Sequence, residues 1–158
     1  MVIRTIDSSD NAQIENIIKT VLIEHNANLP GTAFFDEQLG RLNTAYQEEG
    51  SVYYVAELDG KVVGGAGIGS ILNGPNDICE LQKIYLSESA RGKGIGAALL
   101  NQCLTFAKQF GYKACYLETM PQLVKGLKLY EKMGFSMMDE PLGDTSHHAC
   151  NIWMIKQL

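Results

Sequence analysis

The residues best suited to chemistry stand together in the run Arg91-Gly92-Lys93-Gly94-Ile95-Gly96. This run separates a strand-like segment from a helix-like one. A helix N-terminus carries backbone N–H groups without intrahelical partners and a partial positive charge. Glycines remove side chains, so the oxygens of an anion can reach those N–H groups. Arg91 and Lys93 add positive charge at the rim. The ligand this chemistry predicts is a phosphate or pyrophosphate. Two nucleotide motifs of the same physical kind are not matched. No G-x-x-x-x-G-K-[ST] run occurs. A G-x-G-x-x-G is not completed either, because Leu99 stands three positions after Gly96. The turn also lies mid-chain, whereas that fingerprint belongs to the first β-α unit of its domain.

The elements that must hold this turn follow from periodicity and punctuation. Ile78 to Leu86 reads as a strand ahead of it, and Gly94 to Phe110 as a helix behind it. Ile95, Leu99, Cys103 and Ala107 fall on or near one helical stripe, and Gly111 is a suitable stop. Upstream, Val2 to Ile6 reads as a short strand. Residues 10–25 read as a helix, with Ile14, Ile17, Ile18, Val21 and Leu22 at helical spacing and Ser8, Ser9 and Asp10 as cap candidates. A second helix is expected from Asp36 to Glu48. Ser51 to Leu58 and Lys61 to Ile71 form a hairpin about Asp59-Gly60. The glycines at 64, 65, 67 and 69 in its second arm predict a bulge or a close approach by other groups. Ala114 to Thr119 is a strand. Pro121 opens a helix that ends near Met133, with Gly134 as its stop. Phe135 to Met138 and Cys150 to Lys156 close the chain as strands. A hairpin meander followed by β-α-β-α-β implies an α/β fold with a mixed sheet and helices on both faces.

Composition narrows the function. The 158 residues suffice for one domain spanning 1–158, with 46% hydrophobic and 20% charged residues. No apolar run is long enough to cross a bilayer, and Met1 to Asp10 lacks a signal pattern. A cytoplasmic protein with no membrane partner is therefore expected. Cys79, Cys103, Cys115 and Cys150 contain no C-x-x-C pair and read as free thiols. The net charge of −5 comes with no Lys/Arg stripe, so no nucleic-acid partner is expected. It mildly favours a cationic acceptor such as an amine.

Other polar groups add candidates. Glu80 and Gln82 alternate onto one face of the strand preceding the glycine turn. His147-His148 lies in the loop before the last strand and could bind substrate or act as a base. No metal is expected, because no further Cys or His sits at suitable local spacing.

Taken together, these stretches resemble the GNAT superfamily of acyl-CoA-dependent N-acyltransferases. Arg91, Gly94 and Gly96 fill the defined positions of its pyrophosphate motif Q/R-x-x-G-x-G/A. Glu80 to Leu86 resembles its central strand. Leu129-Tyr130-Glu131-Lys132-Met133-Gly134-Phe135 is similar to its LYEKLGF signature. The resemblance implies a mostly antiparallel sheet of about seven strands in which the parallel pair 78–86 and 114–119 splays apart to admit acetyl-CoA. The backbone of Ile84, Tyr85 and Leu86 would pair with pantetheine amides. The N–H groups from Gly92 through Lys93, Gly94 and Ile95 to Gly96 would hold the pyrophosphate, beside the Arg91 and Lys93 side chains. Tyr130 would be the general acid near the CoA sulfur, and Glu80 the candidate base. Gln82, His147 and His148 would face the substrate. One departure stands out: the family often carries an Asn near the start of the last long helix, where this chain has Gln122-Leu123. The expected reaction is acetyl transfer to a primary amine of a small molecule or peptide, by a monomer or homodimer. The alternative is a non-catalytic acyl-CoA-sensing module of the same fold.

Overall fold

A computed structural model describes residues 1–144 and 146–158. Its strands are β1 (Val2–Thr5), β2 (Val52–Leu58), β3 (Lys61–Ser70), β4 (Ile78–Leu86), β5 (Ala114–Thr119), β6 (Ser136–Met138) and β7 (Ile152–Gln157). They form one seven-stranded sheet in the order β1-β2-β3-β4-β5-β7-β6. Among the described residues, β4 and β5 run parallel and the other neighbouring pairs are antiparallel. The helices are α1 (Asn11–Glu24), α2 (Leu42–Ala45), α3 (Ile95–Phe110) and α4 (Val124–Lys132). The mixed, mostly antiparallel architecture expected from the sequence is therefore the one observed.

The apolar stripes decide which helix covers which face. Ile14, Ile18, Val21 and Leu22 of α1 are buried with Tyr53 and Val55 of β2 and with Leu39 and Leu42. On the other face, Leu99, Leu100 and Cys103 of α3 pack with Ile68, Leu81, Leu117 and Met154, and Tyr130 of α4 joins them. Each large apolar side chain buried this way contributes roughly 1.5–3 kcal/mol relative to exposure. Cys79, Cys103 and Cys115 lie buried as free thiols, and Cys150 is half-buried.

Two expected helices differ from what forms. The span from Asp36 to Glu48 is not one helix but a 3₁₀ turn, Leu39–Arg41, followed by the single turn of α2. Gly40, Asn43 and Thr44 are poor helix formers, and groups at 43 and 44 find competing hydrogen bonds. The Asn43 N–H donates to Asn11 Oδ1 at 3.1 Å, and Thr44 Oγ1 donates to the Arg41 carbonyl at 3.0 Å. The last helix begins at Val124 rather than Pro121, because the Leu123 N–H first closes a turn onto the Met120 carbonyl at 3.1 Å.

Two features of β4 shape everything near it. Its pairing with β5 ends after Ile78, Cys79 and Glu80 have met Ala114, Cys115 and Tyr116. Beyond that point the strands diverge. Opposite β3, the register shifts between Gly65↔Tyr85 and Gly67↔Gln82, which places one extra residue in β4. At this bulge Lys83 adopts φ +51°, a left-handed conformation uncommon for a side-chain-bearing residue. The Tyr53 hydroxyl donates to the Lys83 carbonyl at 2.9 Å and helps hold the bulge.

The glycines of β3 make this arrangement possible. A Cβ on Gly65 would lie 2.5 Å from the Tyr53 ring and 2.7 Å from the Tyr54 carbonyl oxygen. One on Gly67 would lie 2.7 Å from both the Tyr46 and Tyr53 rings, and one on Gly69 2.9 Å from the Gln82 amide oxygen. These alternate positions give a bare floor on which Tyr53, Tyr46 and Gln82 lie. Tyr53 is only 1% exposed, so its ring has nowhere to move. Gly65→Ala is therefore expected to lower stability by about 1–3 kcal/mol in denaturant unfolding; an unchanged midpoint would show that the floor tolerates a methyl group.

Candidate active site

The divergence of β4 from β5 opens a cleft of about 370 Å³. One wall is the β4 segment Ile84-Tyr85-Leu86, which has no ladder partner on the β5 side. The far end is the turn into α3. Gly94 caps this 16-residue helix with φ +77° and no side-chain hydrogen bond. Its first-turn N–H groups therefore lack side-chain partners where Gly92, Gly94 and Gly96 line the cleft. A Cβ at Gly92 or Gly94 would meet nothing within 4 Å, so this rim is open to a ligand. An open strand edge leading to an uncapped, glycine-lined helix N-terminus suits a long ligand that has amide groups and ends in phosphates.

The two cations of the turn part company. Arg91 lines the cleft, but its Nε donates to the Leu86 carbonyl at 3.1 Å and its Nη2 pairs with Glu24 Oε2 at 2.6 Å. It ties the turn to the ends of β4 and α1. Lys93 is exposed and does not line the cleft. Tyr130 forms part of the opposite wall, 7% exposed, with its ring edge-on to Phe135 at 6.0 Å. Gly126, one turn earlier in α4, leaves space beside the hydroxyl: a Cβ there would lie 3.4 Å from it. Burial raises the Tyr130 phenol well above its ordinary value, with a smaller contribution from Cys150. The group therefore stays protonated and able to donate.

A second, smaller cavity of about 40 Å³ adjoins the first, and Tyr85 and Leu123 line both. Glu80, Gln82, Lys83, Glu118, His147 and Cys150 are among its walls. Glu80 is 7% exposed. Burial raises its carboxyl, aided by the charge of Glu118 and opposed by the Gln82 hydrogen bond and the charges of His147 and Lys83, to about 7. A carboxyl poised there can accept a proton near neutral pH. Gln82 Nε2 donates to Glu80 Oε2 at 2.7 Å. His147 Nε2 donates to Asp36, at 2.9 and 3.0 Å from its two carboxylate oxygens, and Lys83 Nζ lies 2.8 Å from Asp36 Oδ2. Burial works to raise the Asp36 carboxyl, but the His147 hydrogen bond and the Lys83 charge outweigh it and hold the group below its ordinary value.

Ile84, Tyr85, Leu86, Arg91, Gly92, Gly94, Ile95, Gly96 and Tyr130 thus share one cleft, while Glu80, Gln82 and His147 share the adjoining cavity. His148 lines neither; it is exposed, and its ring covers Gly31. Sequence reasoning missed Asp36, Tyr46, Lys83, Glu118 and Cys150. Glu118 was reachable in principle. It lies two residues after Tyr116 on the same face of β5, and Tyr116 donates to it at 3.0 Å. Among the described residues no group of three or more His, Cys, Asp or Glu could hold a metal ion, and no helix is long and apolar enough to cross a membrane.

Comparison with known proteins converges on one family. The sequence model of the Acetyltransferase (GNAT) family matches residues 16–135. An Escherichia coli K12 protein named as the uncharacterized N-acetyltransferase YjgM is 37% identical over 158 residues, covering 99% of this chain and 95% of that protein. Among solved structures, a GNAT-family acetyltransferase of Staphylococcus aureus Mu50 superposes with a TM-score of 0.86 at 19% identity, over 99% of this chain and 98% of its own. The protein yncA of Salmonella typhimurium, solved with acetyl-CoA, superposes with a TM-score of 0.75 at 22% identity, over 100% of this chain and 92% of its own.

Glu80 also leaves a mark on stability. Its folded value of about 7 exceeds the ordinary 4.5. Between those values the native state keeps a proton that the unfolded chain gives up, so this group's contribution is full below 4.5 and lost as pH rises through 7. Glu80→Gln removes that loss. Its stability relative to the parent is expected to rise by on the order of 2 kcal/mol between pH 5 and pH 8. Denaturant unfolding at both pH values measures this, and a pH-independent difference would mean that Glu80 is not perturbed.

Proposed function

The chain belongs to the acetyltransferase (GNAT) family of enzymes, and from that premise we propose that it moves the acetyl group of acetyl-CoA directly onto a primary amine of a small molecule or peptide. One observation carries this reading. The open β4 edge, the glycine turn and Tyr130 border one cleft, and the buried Glu80 borders a cavity that meets it at Tyr85 and Leu123. Donor and acceptor can then be brought together at that junction, where orientation supplies much of the rate. The fold-mate solved with acetyl-CoA supports the same choice of donor.

Acetyl-CoA supplies a thioester, whose carbonyl carbon accepts a nucleophile and whose sulfur departs. The residues do the rest. The N–H groups from Gly92 to Gly96 hold the pyrophosphate, and the backbone of Ile84, Tyr85 and Leu86 pairs with the pantetheine arm. Arg91 acts by bracing the turn as much as by its charge, since Glu24 already pairs with it. Glu80 takes a proton from the acceptor ammonium, leaving a neutral amine whose lone pair forms the new C–N bond. As the C–S bond breaks, Tyr130 gives its proton to the departing sulfur and recovers one from the new amide nitrogen, which sheds its second proton, while Glu80 returns the first to solvent. Gln82 and His147 border the acceptor; His148 is set aside because it lines neither cavity. Residues 1–158 act as one domain, and the cytoplasm is the compartment we assign, since acetyl-CoA and thiol-bearing proteins are at home there.

Two experiments test this. Calorimetric titration with acetyl-CoA is expected to show saturable binding that NADH and ATP do not reproduce. Gly94→Trp should abolish it while far-UV circular dichroism is retained. Undiminished binding in that variant would remove the pyrophosphate assignment. Tyr130→Phe is expected to lower turnover by about 10²-fold, with acetyl-CoA affinity within about twofold in the same titration. Equal losses in both would assign Tyr130 to binding and not to proton donation.

A further inference from the structure

Glu80 does not stand alone in its cavity. The Tyr46 hydroxyl donates to Gln82 Oε1 at 2.8 Å, and Gln82 Nε2 donates to Glu80 Oε2 at 2.7 Å. These three residues come from two separate parts of the chain. Glu80 and Gln82 are on β4, whereas Tyr46 immediately follows α2. The connection spans 36 residues of sequence. Its parts are held from several sides. The Tyr46 ring lies over Gly67 and against the Tyr53 ring, with centroids 5.2 Å apart, and the Gln82 amide lies over Gly69.

A glutamine amide has two ends of nearly equal shape and opposite hydrogen-bonding sense. An ionised carboxylate only accepts, so Glu80 requires the NH₂ end. The orientation is stable only if something else rewards the carbonyl end for pointing away. The Tyr46 hydroxyl is that group, since it donates to the carbonyl oxygen. We infer that Tyr46 is a positioning residue that orients the Gln82 amide and, through it, holds the Glu80 carboxylate in the geometry needed to face the acceptor. This rests on the reading of Glu80 as the base. Tyr46 touches neither reacting partner; it acts through Gln82.

Other groups also bear on Glu80. They are Glu118 and Tyr116 on β5, Lys83 on β4, and His147 and Cys150 on the segment before β7. Among the described residues, the hydrogen bond to the Gln82 amide oxygen comes from Tyr46. Removing the Tyr46 hydroxyl leaves those charges where they are and frees the amide to turn. The hydrogen bond from Gln82 favours the ionised form of Glu80. Its loss therefore moves the Glu80 midpoint upward.

The test needs no acceptor. Protein carrying ¹³C at the glutamate side-chain carboxyls is titrated by NMR, and the Glu80 resonance is assigned by its absence in Glu80→Gln. Tyr46→Phe keeps the ring over Gly67 and deletes only the donor. It is expected to raise the Glu80 midpoint by about half a unit to one unit. Gln82→Leu should raise it at least as far. Adding Tyr46→Phe to Gln82→Leu should raise it no further, because the amide through which Tyr46 acts is gone. An unmoved midpoint in Tyr46→Phe overturns the inference. So does a Tyr46→Phe shift of the same size with and without Gln82, which would mean that the phenol acts through space. The base reading is judged separately. If Glu80→Gln turns over an accepted amine like the parent at every pH, that reading falls, while the NMR result still decides the coupling.

Discussion

The structure depends on a ladder that stops early. Parallel strands ordinarily continue to pair for as long as they run side by side, because unpaired backbone N–H and C=O groups are costly once buried. Here β4 and β5 exchange partners at only three positions. The bulge at Lys83, braced by the Tyr53 hydroxyl, turns β4 away, and Arg91 anchors its end to the α3 turn and to Glu24 of α1. An unpaired strand edge is usually a hazard that invites a stray strand. Recessed in a cleft, between Tyr130 and an uncapped helix end, the same edge becomes a selective receptor for a linear ligand.

What borders that edge follows from the absence of side chains as much as from their presence. The stripe of glycines in β3 lets two tyrosine rings and an amide pack closely against the strand, where a methyl group would clash with them. Asp36 performs a complementary task. It gathers Lys83 from the bulge and His147 from the segment before β7 onto one carboxylate. Parts of the chain 111 residues apart are thereby held together.

Much of this was legible in the sequence, and the legible parts share a local cause. The stripe Ile14, Ile17, Ile18, Val21 and Leu22 faces the core as its period requires, and the glycine turn opens α3 where punctuation placed it. Asp59-Gly60 joins β2 to β3 as a two-residue hairpin. What could not be read is tertiary. The helix expected over 36–48 shrinks to a 3₁₀ turn and one turn of α2, and beside its poor local helix formers the pairing of Asn43 with Asn11, 32 residues away, could not be foreseen. Nothing near Tyr46 announces that it will meet Gln82. The rim cation Arg91 finds Glu24 across 67 residues, while its neighbour Lys93 stays in solvent. His147 and His148 are adjacent and look equivalent on paper. The chain path sends one into the cavity and the other onto Gly31.

Among the described residues, the two cavities share Tyr85 and Leu123. On the proposed reading, the donor is recognised largely by main chain and glycine. The acceptor is met by side chains drawn from β4, β5 and the turns before α2 and β7. Such a partition makes the enzyme modular for evolution. Substitutions among the acceptor-side residues can redirect the enzyme to a new amine while the machinery for a universal acetyl donor is inherited intact. A lineage built on this plan can widen its repertoire one wall at a time, without passing through an ancestor that has lost its fuel.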